Sequence, residues 1–328
     1  MKRRQFIQAG LGFGVLSELI PASASTRLHW RDITFTGLGT VLSIRAAHVD
    51  AQVLEQALQR ARDVIAHVED EMSLFRASSA IRRLNATGVL QNPSADLLHV
   101  LQMSQQIARR SHGAFDVTVQ PLWQLYAQAQ EDSRLPTSTE VNLAKQRVGW
   151  QYLNVCAQQI RLTQSGMGVS LNGIAQGYAA DRVRESLGRD GVAHALINAG
   201  EWSAIGLAGG QRPWTLGIAD PHRADAWLTR VTLRGLSIAT SADDQCAFSD
   251  DRKHHHIFNP HTGYSPHDIS SVTVAAPSCV LADALTKVLF VGGYDHALKL
   301  AQAWNVSAMV VKKNGEWKAS DTFPRVAT

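Results

Sequence analysis

Four histidines in one short segment, His254, His255, His256 and His261, are the residues most able to do chemistry. Their density suggests a metal centre. However, consecutive histidines rarely converge on one ion, and no cysteine or carboxylate ligand shares their spacing. A surface loop with one functional histidine, acting as a base or a phosphate partner, agrees better with the pattern.

Two other segments bring polar side chains to the start of a predicted helix. Residues 282–287 place Asp283 and Thr286 one turn apart, where both can face one cation. Residues 170–181 pass through Gly173 into a helix whose first N–H groups favour phosphate. The small residues of this segment equally allow tight helix–sheet packing, so both interpretations stay open.

A fourth segment, residues 113–122, presents an aromatic ring beside a carboxylate in Phe115 and Asp116. On its own, the segment is better explained as a loop with a core phenylalanine and a capping aspartate, because aspartate is a common cap.

The elements that must position these residues alternate between helical and strand patterns without a regular strand–helix–strand order. We therefore predict an α+β fold, one large domain with a mixed, mainly antiparallel sheet and flanking helices. One predicted helix begins at Asp50 and ends near residue 73. The other predicted helices cover 79–84, 97–109, 174–187 and 282–291. Strands are predicted at 33–44 with a turn at 37–39, at 152–162 as a hairpin, and at 195–207, 214–219, 227–233, 236–240, 271–276 and 306–311. The polar residues 128–139 predict a surface loop.

Composition and charge exclude several protein classes. The 328 residues are 45% apolar and 18% charged, as in ordinary globular proteins. No apolar run is long enough for a membrane span, so a transmembrane protein is not expected. Cys156, Cys246 and Cys279 are odd in number and widely spaced, which predicts buried free thiols and leaves one disulfide possible.

The N-terminus has the pattern of an export signal. Lys2, Arg3 and Arg4 precede a short glycine-rich apolar run and an Ala-Ser-Ala cleavage motif, as in a twin-arginine signal. We predict a signal peptide over 1–24, a mature domain over 25–328 and a periplasmic location. Removing the signal lowers the formal charge from +4 to about +2, so a nucleic-acid partner is not expected.

The order of these motifs resembles the ApbE family of FAD:protein FMN transferases. The matching runs are Gly-Thr at 39–40, Met-Ser at 72–73, then 113–122, 170–179, 198–200, 239–241, 256–263 and 282–287. The resemblance implies transfer of FMN from FAD to a Ser or Thr hydroxyl of an exported or membrane redox flavoprotein, with release of AMP and use of Mg²⁺. It also implies the following roles: His256 and Asp283 catalytic; Leu38, Phe75, Ala114, Phe115, Asp116, Ser170, Gln176, Ile257 and Thr286 at FAD; Gly173, Asp283 and position 287 at the metal.

Several positions depart from the family pattern, above all Lys287, where the family has a metal-binding threonine. Ser170, Gln176, Glu201 and Asn259 also differ from it. An ammonium cannot bind Mg²⁺, which takes oxygen ligands. Three possibilities follow: Thr286 takes over, Lys287 supplies the positive charge, or the site is inactive. Two alternative functions therefore remain, a degenerate FAD-binding assembly factor and an Mg²⁺-dependent FAD pyrophosphatase.

Overall fold

The computed structural model describes residues 28–326. The predicted signal peptide lies outside the described residues. The helices are α1 Ala51–Met72, α2 Ala80–Thr87, α3 Ala95–Arg110, α4 Gln120–Glu131, α5 Ser138–Lys145, α6 Ala175–Arg189, α7 Cys279–Gly292 and α8 Tyr294–Ala303. The strands are β1 His29–Gly37, β2 Thr40–His48, β3 Val89–Gln91, β4 Leu153–Val155, β5 Gln159–Leu162, β6 His194–Asn198, β7 Trp202–Ile205, β8 Trp214–Ala219, β9 Trp227–Leu233, β10 Ser237–Ala242, β11 Ile269–Ala276, β12 Ser307–Lys312 and β13 Trp317–Ala319.

An eight-stranded sheet with the order β1-β2-β6-β7-β10-β11-β12-β13 forms the centre of the fold. Every ladder among the described strands is antiparallel. Two small sheets, β3-β5-β4 and β8-β9, complete the strands. The predicted α+β fold with a mainly antiparallel sheet is confirmed.

Both faces of the central sheet are covered, which explains why β11 is buried at every position. Val272, Val274 and Val310 face a core shared with α1, α6 and α7. Their neighbours Ala275 and Met309 face a second core, shared with the β8–β9 hairpin. Side chains on a strand alternate between faces, so two covered faces leave neither side of the strand exposed to solvent.

Two sequence predictions of elements are wrong in part. The predicted strand 195–207 is the hairpin β6–β7, because Gly200 with φ +97° forms the turn between them. The predicted loop 128–139 begins inside α4. That helix has Pro121 in its first turn and buries Leu122, Tyr126 and Ala129 on one face, although its end is polar.

Two predictions concerned membrane helices and cysteines. Within residues 28–326, no helix has the length and hydropathy needed to cross a membrane. All three cysteines are free; Cys279 is buried, whereas Cys156 and Cys246 are half-buried.

Candidate active site

One cleft collects most of the residues singled out by the sequence. It lies between the segment 113–122, the start of α6, the histidine segment and α7. The predicted site residues that line it are Ala114, Phe115, Asp116, Ser170, Gly173, Gln176, His256, Ile257 and Lys287. Phe115, Asp116 and His256, which lie far apart in the sequence, thus line one cleft; Asp283 does not line it but pairs with the lining residue Lys287.

His256 is held as a neutral base in this cleft. Its Nδ1 lies 3.2 Å from the main-chain oxygen of Cys246, which can only accept, so Nδ1 carries the proton. Nε2 therefore keeps its lone pair. Burial, aided by the charge of Lys287, lowers the pKa of His256 to about 4. The ring is thus neutral at neutral pH, with its proton on Nδ1 and none on Nε2.

The other histidines of the segment have separate surroundings. His255 is fully buried; its Nε2 lies 3.0 Å from the Pro266 oxygen, and burial lowers its pKa to about 3. His254 packs near Tyr126. His261 lies beside Gly113, where an added Cβ would be 3.1 Å from the imidazole. Among the described residues, no group of three His, Cys, Asp or Glu side chains could hold a metal.

Asp116 organises the wall of the cleft. Its Oδ1 accepts hydrogen bonds from the Thr118 N–H and hydroxyl at 2.8 and 2.7 Å, and its Oδ2 accepts from the Trp150 N–H at 2.9 Å. Burial raises the pKa of Asp116, against the opposing effect of these bonds. The residue thus fixes the loop that carries Phe115.

Helices α6 and α7 cap each other through two aspartates. Asp181 of α6 accepts the N–H groups of Cys279 and Val280 at the start of α7, each at 2.9 Å. Asp283 of α7 accepts the Gly177 N–H in the first turn of α6 at 3.0 Å. Carboxylates favour this position because the first N–H groups of a helix lack partners. The N-terminus of α6, for which a phosphate site was one of the two interpretations, therefore already faces a carboxylate.

Gly177 permits this close approach. A Cβ at this position would lie 2.5 Å from the main-chain oxygen of Cys279 and 2.7 Å from the Cβ of Asp283. The sequence left tight packing and an anion site open for residues 170–181. At Gly177 the contacts show tight packing.

Lys287 crosses from α7 to the wall of the cleft. Its Nζ forms an ion pair with Asp283 Oδ1 and donates to the Asp283 main-chain oxygen at 3.1 Å. Its Cε would lie 3.1 Å from a Cβ at Gly173. The ammonium therefore lies among the residues that the resemblance assigns to a metal.

Four predicted residues are not part of the cleft lining. Leu38 lies next to it, because its main-chain oxygen accepts from Gln176 Nε2 at 3.4 Å. Thr286 is fully buried; its hydroxyl donates to the Asp283 oxygen and contacts Ser241 Oγ, both at 2.6 Å. Asp283 pairs with Lys287 without lining the cleft, and Phe75 is 61% exposed and not among the lining residues.

Glu201 is the most informative lining residue that the sequence did not assign. It follows Gly200 in the β6–β7 turn and accepts the Thr240 N–H at 3.1 Å. Burial, together with the charge of Asp283, raises its pKa well above the usual range. Its place directly after the 198–200 motif was the signal available. The other unassigned lining residues are Val117, Val119, Trp123, Asn172, Thr240, Ser241, Gln245, Phe258 and Pro260.

Comparisons with known proteins agree with this architecture. An FAD:protein FMN transferase of Klebsiella pneumoniae is 30% identical over 270 residues, which cover 79% of this chain and 83% of that protein. The crystal structure of the ApbE protein of Thermotoga maritima has a TM-score of 0.82 at 26% identity and covers 91% of this chain and 100% of its own. The flavin transferase ApbE of Vibrio cholerae, at 24% identity, shares the fold with a TM-score of 0.78 over 92% of this chain and 100% of its own.

The family model agrees with the motifs as well as the fold. The ApbE family model matches residues 38–310, a range that contains every residue of the cleft lining. This chain belongs to the ApbE family.

Proposed function

We propose that this protein is an FAD:protein FMN transferase that attaches FMN to a Ser or Thr hydroxyl of an exported redox protein and releases AMP. The observation that carries the proposal is His256: a neutral imidazole with Nδ1 bound to Cys246 and an unprotonated Nε2, in the cleft of an ApbE family member. Such a group can accept a hydroxyl proton at neutral pH.

The reaction balances with His256 as the base. The acceptor hydroxyl loses its proton to Nε2 while its oxygen attacks the phosphorus of the FMN half of FAD. A new P–O bond forms to the acceptor, and the P–O bond to the AMP half breaks with its electron pair on AMP. The proton then passes from His256 to solvent, which returns the ring to its neutral form.

The rest of the cleft suits the flavin ring and the diphosphate of such a substrate. Phe115 and Ile257 provide apolar surface for a flavin ring, and burial of such surface is favourable. Ser170 and Gln176 provide uncharged polar groups. Lys287 adds a positive charge near the expected position of the diphosphate.

The predicted twin-arginine signal over 1–24 supports export and a periplasmic site of action. The acceptor is then an exported protein or an exported domain of a membrane-bound electron-transfer system. A Ser or Thr hydroxyl on such a domain must be exposed to enter the cleft.

A gene deletion in the source strain tests the proposal. Protein extracts of the deletion strain, incubated with FAD and purified protein, are separated under denaturing conditions and examined for covalent flavin fluorescence. We expect a fluorescent acceptor band with the wild type, none with His256→Gln, and an undiminished band with the matched control His261→Gln. No new band with the wild type would contradict the transferase proposal.

Two related functions would give different products. AMP release from FAD without any acceptor would indicate a pyrophosphatase. FAD binding with neither AMP nor covalent flavin would indicate an assembly factor, an alternative that the departures at Ser170, Asn259 and Lys287 motivate.

A further inference from the structure

The residues around Asp283 do not fit a divalent metal ion. Mg²⁺ requires near-octahedral oxygen coordination. Here Asp283 Oδ2 accepts the Gly177 N–H and Oδ1 pairs with the Lys287 ammonium. The lysine chain also fills the space beside Gly173. An ion placed there would lie against a positive charge.

Thr286 does not supply the missing ligand. Its hydroxyl already bonds the Asp283 main-chain oxygen and Ser241 Oγ, and the residue is fully buried. Bringing this oxygen to a metal would require α7 to turn, although both of its faces are packed against α6 and the sheet.

Lys287 can serve as a fixed cation of the cleft, because its ammonium is anchored and still accessible. Asp283 anchors its Nζ at two oxygens, and the side chain stays 19% exposed on the cleft wall. An ammonium has three N–H donors, so one remains for a ligand. Of the described residues that line the cleft, Lys287 carries the single full positive charge at neutral pH, because His256 is neutral.

We infer that the Lys287 ammonium takes the place of a divalent cation and binds the diphosphate of FAD directly, so that this protein binds FAD without Mg²⁺. The inference rests on the proposed function for the identity of the ligand. It assigns the second of the three possibilities left open by the sequence to this site.

FAD titrations of the full mature protein, followed by flavin fluorescence, test the inference in EDTA and in excess Mg²⁺. We expect equal affinity of the wild type in both solutions. Lys287→Met removes a charged hydrogen bond and should weaken binding roughly 10- to 100-fold in both. Lys287→Arg, the charge-preserving control, should stay within a few-fold of the wild type.

Lys287→Thr provides a second, independent readout. With the ammonium gone and an oxygen in its place, FAD binding should become dependent on Mg²⁺, and calorimetric titration of Mg²⁺ alone should gain a binding signal that the wild type lacks. Thermal unfolding of each variant distinguishes a lost contact from a lost fold.

Three outcomes would overturn the inference: wild-type binding at least tenfold tighter with Mg²⁺, a folded Lys287→Met variant with unchanged affinity, or a wild-type calorimetric signal for Mg²⁺. FAD binding in EDTA without covalent transfer would overturn the proposed reaction while supporting this inference. No FAD binding in either solution would overturn both.

Discussion

Replacing Asp283 by alanine tests how α6, α7 and the cleft are joined. The side chain is 1% exposed, and one carboxylate accepts from Gly177 of α6 and pairs with Lys287 of α7. Asp283→Ala therefore removes a helix cap and an ion pair together. It leaves an N–H group and an ammonium without the partner that both now share.

The expected cost follows from these two contacts. Removing one partner of a buried ion pair destabilises a protein by about 3–5 kcal/mol. Lys287 is 19% exposed, so water recovers part of its solvation, and we expect a loss of about 3 kcal/mol. For a domain of about 300 residues, that loss lowers the melting temperature by roughly 5 °C.

A double-mutant cycle separates the ion pair from the cap. Asp283→Ala/Lys287→Met removes both charges, so the double variant should recover about 2 kcal/mol of the single variant's loss. The remaining loss, about 1 kcal/mol, belongs to the unpaired Gly177 N–H. Asp181→Ala is the matched control: it removes the reciprocal cap at a cost of about 1–2 kcal/mol, with no coupling to Lys287.

Urea unfolding followed by circular dichroism gives the free energies of unfolding of the wild type, Asp283→Ala, Lys287→Met, the double variant and Asp181→Ala. If Asp283→Ala unfolded within about 0.5 kcal/mol of the wild type, the range of ordinary surface substitutions, Asp283 would not join the two helices in this way. The expected share of the ion pair would be contradicted if the double variant were no more stable than Asp283→Ala.

Three further predictions concern packing, acidity and the cleft wall. Gly177→Ala should lower the melting temperature by several degrees, because its Cβ would lie 2.5 Å from a carbonyl oxygen of α7; Gly188→Ala, in the same helix with nothing within 4 Å, should be neutral or stabilising by up to about 1 kcal/mol. Transfer activity requires neutral His256, so it should persist at acidic pH and be lost only as the pH falls through about 4; single-turnover AMP release with an acid limb near pH 6.5 would disagree. Asp116→Ala leaves three donors without their acceptor and should cost roughly 3 kcal/mol in urea unfolding, whereas Glu131→Ala at the exposed end of α4 should change little.

Much of the fold was predicted from the sequence, because helix caps and tight turns depend on residues that are neighbours in the chain. Asp50 caps α1 at the predicted start of this helix, accepting the N–H groups of Gln52 and Val53. The turn at Leu38 and Gly39 joins β1 to β2 with positive φ at both residues, which suits a two-residue hairpin. By contrast, the end of α4 was predicted as a loop from residue 128 because it is polar. The buried face that makes this segment helical begins eight residues before that position, at Gln120.

The hydrogen bonds and ion pairs of the site join segments that are distant in the sequence, so no local sequence pattern predicts them. The bond from the Gly177 N–H to Asp283 spans 106 positions of the chain. The burial of Glu201, and the raised pKa that follows, appears only when β7, β10 and α7 pack together. The Asp283–Lys287 pair was within reach of the sequence, because residues four apart on a helix are neighbours.

In the proposed reaction His256 acts as the base, and each acceptor that receives FMN releases one AMP. The most direct measurement quantifies AMP and protein-bound FMN in the same reaction, with purified protein, FAD and extract of the deletion strain. We expect equal amounts of the two products with the wild type and neither with His256→Gln. AMP in excess of bound FMN, or bound FMN formed equally by His256→Gln, would contradict the account.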